Sequence, residues 1–383
     1  MVNHVFCFGC GVCSTSCPKN AITITLSNEG FWVPIVNVDL CINCNICDKV
    51  CAYNDNQICI PTAKLDKTFG YAATHKDDNI VKAATSGGAG FALAQYLNKE
   101  GYKLVGVKYD INKNIACHFT TNSIEEFKST MNSKYIPSYT VNGFSSLMNG
   151  DKYAVFGTPC QIDSLRRWAR LKNKEDNFVF IDLFCHGVPS YLHWNTYLKY
   201  HLKKGEKITR PIFRDKKNGW HAFTISLETN KRTITNTLQK NDLFQNLFFG
   251  NYTLNRTCYH CKYRGNNSAA DIRMGDLWGG KYANNEKGIT GMLALTILGD
   301  KIINQLNELC YITKETENVI VAGQIYKDTP IPKGREKLLK GFSRKKSMKL
   351  LYYQYAPKMW LKNLIPYQVK CIIKQLIYKY KNS

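Results

Sequence analysis

Residues Cys7-Phe8-Gly9-Cys10-Gly11-Val12-Cys13-Ser14-Thr15-Ser16-Cys17-Pro18 space four thiols as C-x-x-C-x-x-C-x-x-x-C-P. The run Cys41-Ile42-Asn43-Cys44-Asn45-Ile46-Cys47-Asp48-Lys49-Val50-Cys51 repeats that spacing. Three cysteines at every third position wrap a turning backbone round one face of a cubane, and the fourth is carried away to the other cluster. The spacing therefore predicts two 4Fe-4S clusters. Cys7, Cys10, Cys13 and Cys51 hold one; Cys41, Cys44, Cys47 and Cys17 hold the other. A zinc ribbon pairs two C-x-x-C units and has no need of eight thiolates in two such runs. A protein so equipped moves electrons one at a time, so the rest of the chain should hold a source or a sink for them.

Between the motifs, Ala21–Leu26 and Trp32–Val36 alternate in polarity round the turn Ser27-Asn28-Glu29-Gly30. They predict a hairpin, and residues 1–60 read as an α+β, ferredoxin-like two-cluster domain. Pro61 to about Gly70 is polar and reads as a linker, and Cys59 as an ordinary cysteine. Eight of the 16 cysteines fall in cluster motifs, which need reduced thiolates rather than disulfides. Met1–Phe6 carries no apolar leader, and no run reaches the roughly 18 apolar residues of a membrane span. The expected location is cytoplasmic, with a peripheral position at the inner membrane face open to the tail described below.

Residues 71–150 begin a second region. Thr85-Ser86-Gly87-Gly88-Ala89-Gly90 opens the apolar-periodic helix beginning at Phe91. Its free amides suit a phosphate; a plain cap with close helix packing is the alternative. Lys103–Tyr109 and Ala116–Phe119 read as paired strands, which makes Cys117 and His118 sheet positions. Lys134-Tyr135, in a short polar loop, could bind an anion or support proton transfer.

In residues 151–330, Tyr153–Phe156 is a buried strand, Gly157-Thr158-Pro159-Cys160 a turn and Gln161–Trp168 a helix. Phe178–Phe184 is a second strand, ending in Cys185-His186-Gly187-Val188-Pro189. This order predicts a parallel βαβ unit with Cys160 and Cys185 on one sheet edge, beyond the carboxyl ends of the strands. Cys258-Tyr259-His260-Cys261 supplies two further thiols. The four together suit a third cluster or a structural zinc. Alternatively Cys160, at a helix start with His186 nearby, is a nucleophile, or the four are unrelated core cysteines. The stretch His221–Leu227 alternates as a strand, and Leu243–Phe249 reads as an apolar helix. Asp276, in Met274-Gly275-Asp276-Leu277-Trp278-Gly279, would suit a ligand pocket at a strand end.

The net charge is +23. Fourteen Lys and Arg against one acid, Glu336, lie from Ile331 onward. Residues 340–383 thus read as a basic helical tail. At about 100° per residue, Val369, Ile372, Ile373, Leu376 and Ile377 share a face that Lys370 and Lys374 leave. Such a helix suits an anionic membrane surface or packs on the protein's own body. Charge concentrated in an apolar-interleaved tail, with the rest of the chain only mildly basic, does not favour nucleic acid.

Several of these stretches together resemble the family of coenzyme F-420 hydrogenase/dehydrogenase beta subunits, in the version with an N-terminal two-cluster ferredoxin domain. They are Thr85-Ser86-Gly87-Gly88, Ser133-Lys134-Tyr135, Gly157-Thr158-Pro159-Cys160-Gln161-Ile162, Asp182–Ser190, Phe213-Arg214-Asp215-Lys216, Cys258–Cys261 and Asp271–Gly279. The resemblance covers roughly residues 1–325. It implies an α/β, mixed-sheet flavin and iron-sulfur domain and an oxidoreductase that passes electrons between an external carrier, 4Fe-4S clusters and FAD. The carrier would be a ferredoxin or a reduced cofactor. It adds weight to a third cluster at Cys160, Cys185, Cys258 and Cys261. It implies FAD contacts at Ser86, Gly87, Gly88, Thr158, Gln161 and Asp276, with Lys134, His186 and Asp276 as candidates for proton supply. Two departures stand out: Asn132 replaces a common Gly, and Asn266–Ala270 lacks a common Arg. The Lys-, Asn- and Ile-rich composition suits an AT-rich bacterium, so the family name does not fix deazaflavin as substrate. Similar architectures occur in bacterial surface-polysaccharide biosynthesis, which implies a small-molecule, nucleotide-linked or lipid-linked substrate.

Overall fold

The computed structural model describes residues 7–149 and 151–357. Its N-terminal unit contains the hairpin β1 (Ile22–Leu26) and β2 (Trp32–Val36), paired antiparallel. Each thiol motif closes on one short helical turn, Val12–Thr15 and Ile46–Lys49. Gly11, at φ 73°, opens the first turn; a Cβ there would lie 2.2 Å from Thr140 Oγ1. Only glycine tolerates both the left-handed backbone and that approach.

The body is a nine-stranded sheet. Its strands are β3 (Lys64–His75), β4 (Lys103–Asp110), β5 (Ile115–Thr121), β6 (Ser138–Tyr139), β7 (Tyr153–Gly157) and β8 (Phe178–Leu183). β9 (Ile208–Asp215), β10 (Thr224–Thr229) and β11 (Thr233–Thr237) form a separate antiparallel sheet. β12 (Ile272–Asp276), β13 (Thr290–Thr296) and β14 (Cys310–Glu315) complete the large one, in the order β14-β3-β13-β12-β8-β7-β4-β5-β6. Strands β4, β7, β8 and β12 run parallel as the sheet's centre. β7 and β8 are buried almost throughout, as strands covered on both faces are. The parts read as 71–150 and 151–330 share this one sheet.

The helix Pro159–Leu171 joins β7 to β8, so the βαβ unit forms with Tyr153 opposite Phe178 and Gly157 opposite Asp182. This helix is buried on two sides. Ile162, Leu165 and Trp168 share one core with Phe178 and Phe180 of the sheet, and with Val12 and Val50 of the thiol motifs. Both valines are fully buried, worth roughly 1.5–3 kcal/mol each, so the N-terminal unit is welded to the body.

Three readings change. The stretch 61–70 is no linker, because Lys64–Gly70 forms the first half of β3. Its side chains are mostly exposed, so no apolar alternation marks it. The strand read from His221 begins at Thr224; Trp220–Ala222 is a 3-10 turn and Phe223 sits at φ 49°. The start of the basic tail is part of the body: helices Arg335–Ser343 and Met348–Tyr355 bury Leu338, Phe342 and Leu351 in one core with Trp194 and Phe244. The amphipathic stretch 360–380 lies outside the described residues. No helix among the described residues is long and apolar enough to cross a membrane.

Candidate functional site

The eight motif thiols line two cavities. Cys7, Cys10, Cys13 and Cys51 surround one of about 370 Å³ of atom-free space; Cys17, Cys41, Cys44 and Cys47 surround another of about 560 Å³. Each cavity takes three thiols from one motif and the fourth from the other. Burial, then the neighbouring thiols, push Cys10 up to about 12; burial likewise raises Cys7 to about 11. Four buried thiolates repel one another unless cations sit among them, so this donor set fits an iron cluster. Among the described residues, no three Cys, His, Asp or Glu side chains are placed to hold one metal ion. A cubane gives each thiolate its own iron, so its ligands stand farther apart than those of one zinc.

The carboxyl ends of β7, β8 and β12 bring a third thiol set to one sheet edge. Cys160 opens the Pro159–Leu171 helix, Cys185 follows β8, and Cys258 and Cys261 come from the loop before β12. All four thiols are raised, first by burial and then by mutual repulsion for Cys160, Cys185 and Cys258; Cys185 stands at about 11 and Cys258 at about 12. Cys160 also feels Cys10, so the third set adjoins the first cavity. Arg264 clamps this loop. Its guanidinium donates to the carbonyls of Cys258 (2.5 Å), Cys185 (3.3 Å) and His186 (3.4 Å). Arg273 donates to Gly265 and Tyr263 carbonyls while pairing with Asp182. These two cations offset the negative charge that four thiolates bring.

Residues 150–319 match the family model for the C terminus of the coenzyme F420 hydrogenase/dehydrogenase beta subunit, and residues 6–54 match the 4Fe-4S dicluster domain. Over residues 150–319 the chain is thus similar to this family of beta subunits. A curated relative is a subunit of the F(420)H(2) dehydrogenase of Methanosarcina mazei, 25% identical over 202 residues. That match covers 50% of this chain and 56% of the relative, so the chain spans little more than half of the relative's length. A solved chain of the F420-reducing [NiFe] hydrogenase complex from Methanosarcina barkeri is 16% identical, with a TM-score of 0.49 over 77% of this chain and 94% of that one.

In this beta-subunit-like chain, the remaining candidates divide between two places. Thr158 and Gln161 stay at the third thiol set. The Thr158 hydroxyl is 3.3 Å from Cys160 Sγ, and Gln161 accepts from the Thr158 amide and donates to Ser138. Ser86 and Asp276 lie together farther along the edge, where Arg214 Nη1 donates to Asp276 at 2.8 Å and Lys216 Nζ to the Ser86 carbonyl at 2.5 Å. Gly87 and Gly88 are needed for packing: a Cβ on Gly87 would lie 2.3 Å from the Ala73 carbonyl. Lys134 donates to the carbonyls of Ser129, Thr130 and Met131, so its ammonium caps a 3-10 turn and is spent there. His186 is a neutral ring wedged against Phe248 and Phe249, with burial holding it down at about 4. Burial raises Asp276, and Arg214 opposes that rise.

Rings connect the two places. His186 contacts Phe249 (5.5 Å between centroids), Phe249 contacts Phe223 (5.3 Å), and Phe223 stacks on Trp278 (5.4 Å). Arg214 lies 4.0 Å over Phe223. The positive φ of Phe223 is unusual for a bulky residue and turns its ring into this stack. Two buried nitrogens in the cluster, His186 Nε2 and Trp220 Nε1, have no partner among the described residues. A polar-edged aromatic ligand would satisfy them, so these residues fit a flavin. Asn132 explains one departure from the family pattern. It holds φ 69°, which Asn tolerates, and its amide exchanges two hydrogen bonds with the Arg214 backbone. Sequence reading missed Arg264 and Ser164; a lone Arg shortly after a C-x-x-C was the only signal for the first.

Proposed function

We propose that this chain is an iron-sulfur flavoprotein oxidoreductase, with electrons entering at the second cavity and leaving at the Arg214–Asp276 site. One observation carries the reading: the first cavity adjoins the third thiol set at the carboxyl ends of β7 and β8, and the ring series runs from His186 there to Trp278, beside the Arg214–Asp276 pair. The second cavity is the entry because Cys44 is exposed there, with Val38, Leu40 and Ile42 exposed round it. An external one-electron carrier can approach that face. FAD, when bound, supplies the exchange between hydride and single electrons. Phe223 and Trp278 orient its ring, Arg214 and Ser86 hold its polar groups, and Asp276, kept protonated more readily by burial, moves a proton. Nucleotide- or lipid-linked sugars are the first substrates to screen.

A second reading is an electron-transfer subunit that serves a partner enzyme. The exposed apolar rim of the second cavity favours it, as does the relative named as a dehydrogenase subunit. Analysis of anaerobically purified protein tests the main reading. About twelve irons and one FAD per chain, both bleached by dithionite, support it. About eight irons with zinc and no flavin refute it.

A further inference from the structure

The helix that follows Cys160 reaches back into the first cavity. Ser164, one turn beyond Cys160, is fully buried and lines that cavity with the four thiols. Its Oγ stands 3.3 Å from Cys10 Sγ and accepts from the Ala52 amide at 3.2 Å. The amide therefore occupies a lone pair of the hydroxyl and fixes which way its proton can point. In the loaded protein Cys10 is a thiolate with no proton to give. The hydroxyl must then be the donor, and the sulfur the acceptor.

We infer that Ser164 tunes the cluster held by Cys7, Cys10, Cys13 and Cys51, raising its reduction potential above that of the second cluster through a hydrogen bond to the Cys10 thiolate. Reduction adds one electron and one negative charge to a cluster. A donor aimed at a ligand sulfur stabilises that added charge. The two cavities differ in this respect. Both have backbone amides on ligand sulfurs: Gly9 to Cys7 at 3.2 Å and Val12 to Cys10 in the first, Ala21 to Cys17 at 3.4 Å and Asp48 to Cys47 in the second. Among the described residues, the first alone adds a buried hydroxyl from another part of the chain. The second has only the Asn43 side-chain oxygen, an acceptor, 3.7 Å from Cys41 Sγ in an exposed position, and Asp48 beside Cys47. A carboxylate opposes reduction, and a hydroxyl donor assists it. Electrons admitted at the exposed second cluster then run downhill to the first, which adjoins Cys160. Thr158, on the same helix, puts a second hydroxyl 3.3 Å from Cys160, so one helix serves both centres.

The inference rests on the assignment of a cluster to the first cavity, and iron analysis of the unaltered protein tests that assignment separately. The test proper is an anaerobic redox titration followed by electron paramagnetic resonance on the full chain. Ser164→Ala should retain all iron and lower the potential of one signal, the one that Cys10→Ser alters. The expected size is about tenfold in the reduced-to-oxidised ratio, ~59 mV for a one-electron couple, with the other signals unmoved. Ser164→Thr, which keeps the hydroxyl, should titrate like the unaltered protein. An unshifted signal in Ser164→Ala with full iron overturns the inference. Should alanine release iron, full iron and an unshifted potential in threonine still support it. Loss of iron in both variants overturns it, since packing rather than the hydroxyl would then be what the position requires.

Discussion

Arg273→Ala should strip the third thiol set of its metal before the rest of the protein fails. The Arg273 and Asp182 side chains are 1% and 0% exposed and meet through two parallel bonds, Nε to Oδ1 at 2.8 Å and Nη2 to Oδ2 at 2.7 Å. The other terminal nitrogen holds the Gly265 carbonyl at 2.7 Å and the Tyr263 carbonyl at 3.2 Å. Removing one partner of a buried pair costs roughly 3–5 kcal/mol, because the other charge stays buried. Asp182 would keep one donor, the Ser268 hydroxyl at 2.6 Å. Set against a typical total stability of ~5–15 kcal/mol, that is a large share. The strain has a cheaper outlet: the loop carrying Cys258 and Cys261 can lift and let water reach Asp182. Iron should therefore fall from about twelve to about eight per chain, with a lowered melting midpoint under anaerobic conditions. Arg273→Ala combined with Asp182→Asn should be more stable than Arg273→Ala alone, since the unpaired charge is then gone. Full iron with a loss under ~1 kcal/mol would refute the reasoning, as would a double variant no better than the single.

Arg214→Ala should release flavin at least tenfold more readily on desalting, about 1.4 kcal/mol, while iron stays constant; iron lost in parallel would show that the two sites are not separate. Cys44→Ala should remove about four irons and slow reduction by a protein donor far more than reduction of the remaining clusters by dithionite. An unchanged iron count would contradict the assignment of the second cavity. His118 is buried, and burial lowers it from 6.5 to about 4. It is neutral in the fold and protonated when unfolded below pH 6.5, so the unfolded state binds more protons. Stability should fall as the pH drops from 6.5 towards 4, by ~1.4 kcal/mol per unit from this residue. His118→Phe should flatten that slope in anaerobic urea titrations at pH 6.5 and 5.5, and equal slopes would refute the assignment.

The parts of the fold legible in sequence were those with a short repeat or a local period. The thiol motifs repeat at every third residue, and β7, its helix and β8 carry apolar runs bounded by turn residues. Cys160 and Cys185 could be set on one sheet edge because parallel strands end on the same side. The polar residues that dock the N-terminal unit left no such trace. Asp163 accepts from the Cys59 amide and from Tyr263, Lys262 donates to the carbonyls of Ala52, Asp55 and Gln57, and Asn255 donates to the Cys7 carbonyl. Each is one polar residue meeting a partner a hundred or more positions away. Periodicity cannot register such a pairing. Lys64–Gly70 was missed for a different reason, because a strand with exposed side chains looks like a loop until its partners β13 and β14 are known.

Those docking bonds bear on how the chain handles electrons. A carrier domain on a flexible tether would need only a few surface contacts. Here Asp163 and Ser164 are fully buried in the helix that also presents Cys160, and both are spent on the N-terminal unit. A buried polar group left without its partner costs roughly 1–3 kcal/mol, so separating the units would expose several such groups together with Val12 and Val50. The first cavity is thereby held at a fixed distance from the third thiol set. The second cavity is turned outward, with Cys44 exposed. Rigid on one side and open on the other, the N-terminal unit suits the proposed route, in which electrons arrive from outside and pass inward without the unit moving.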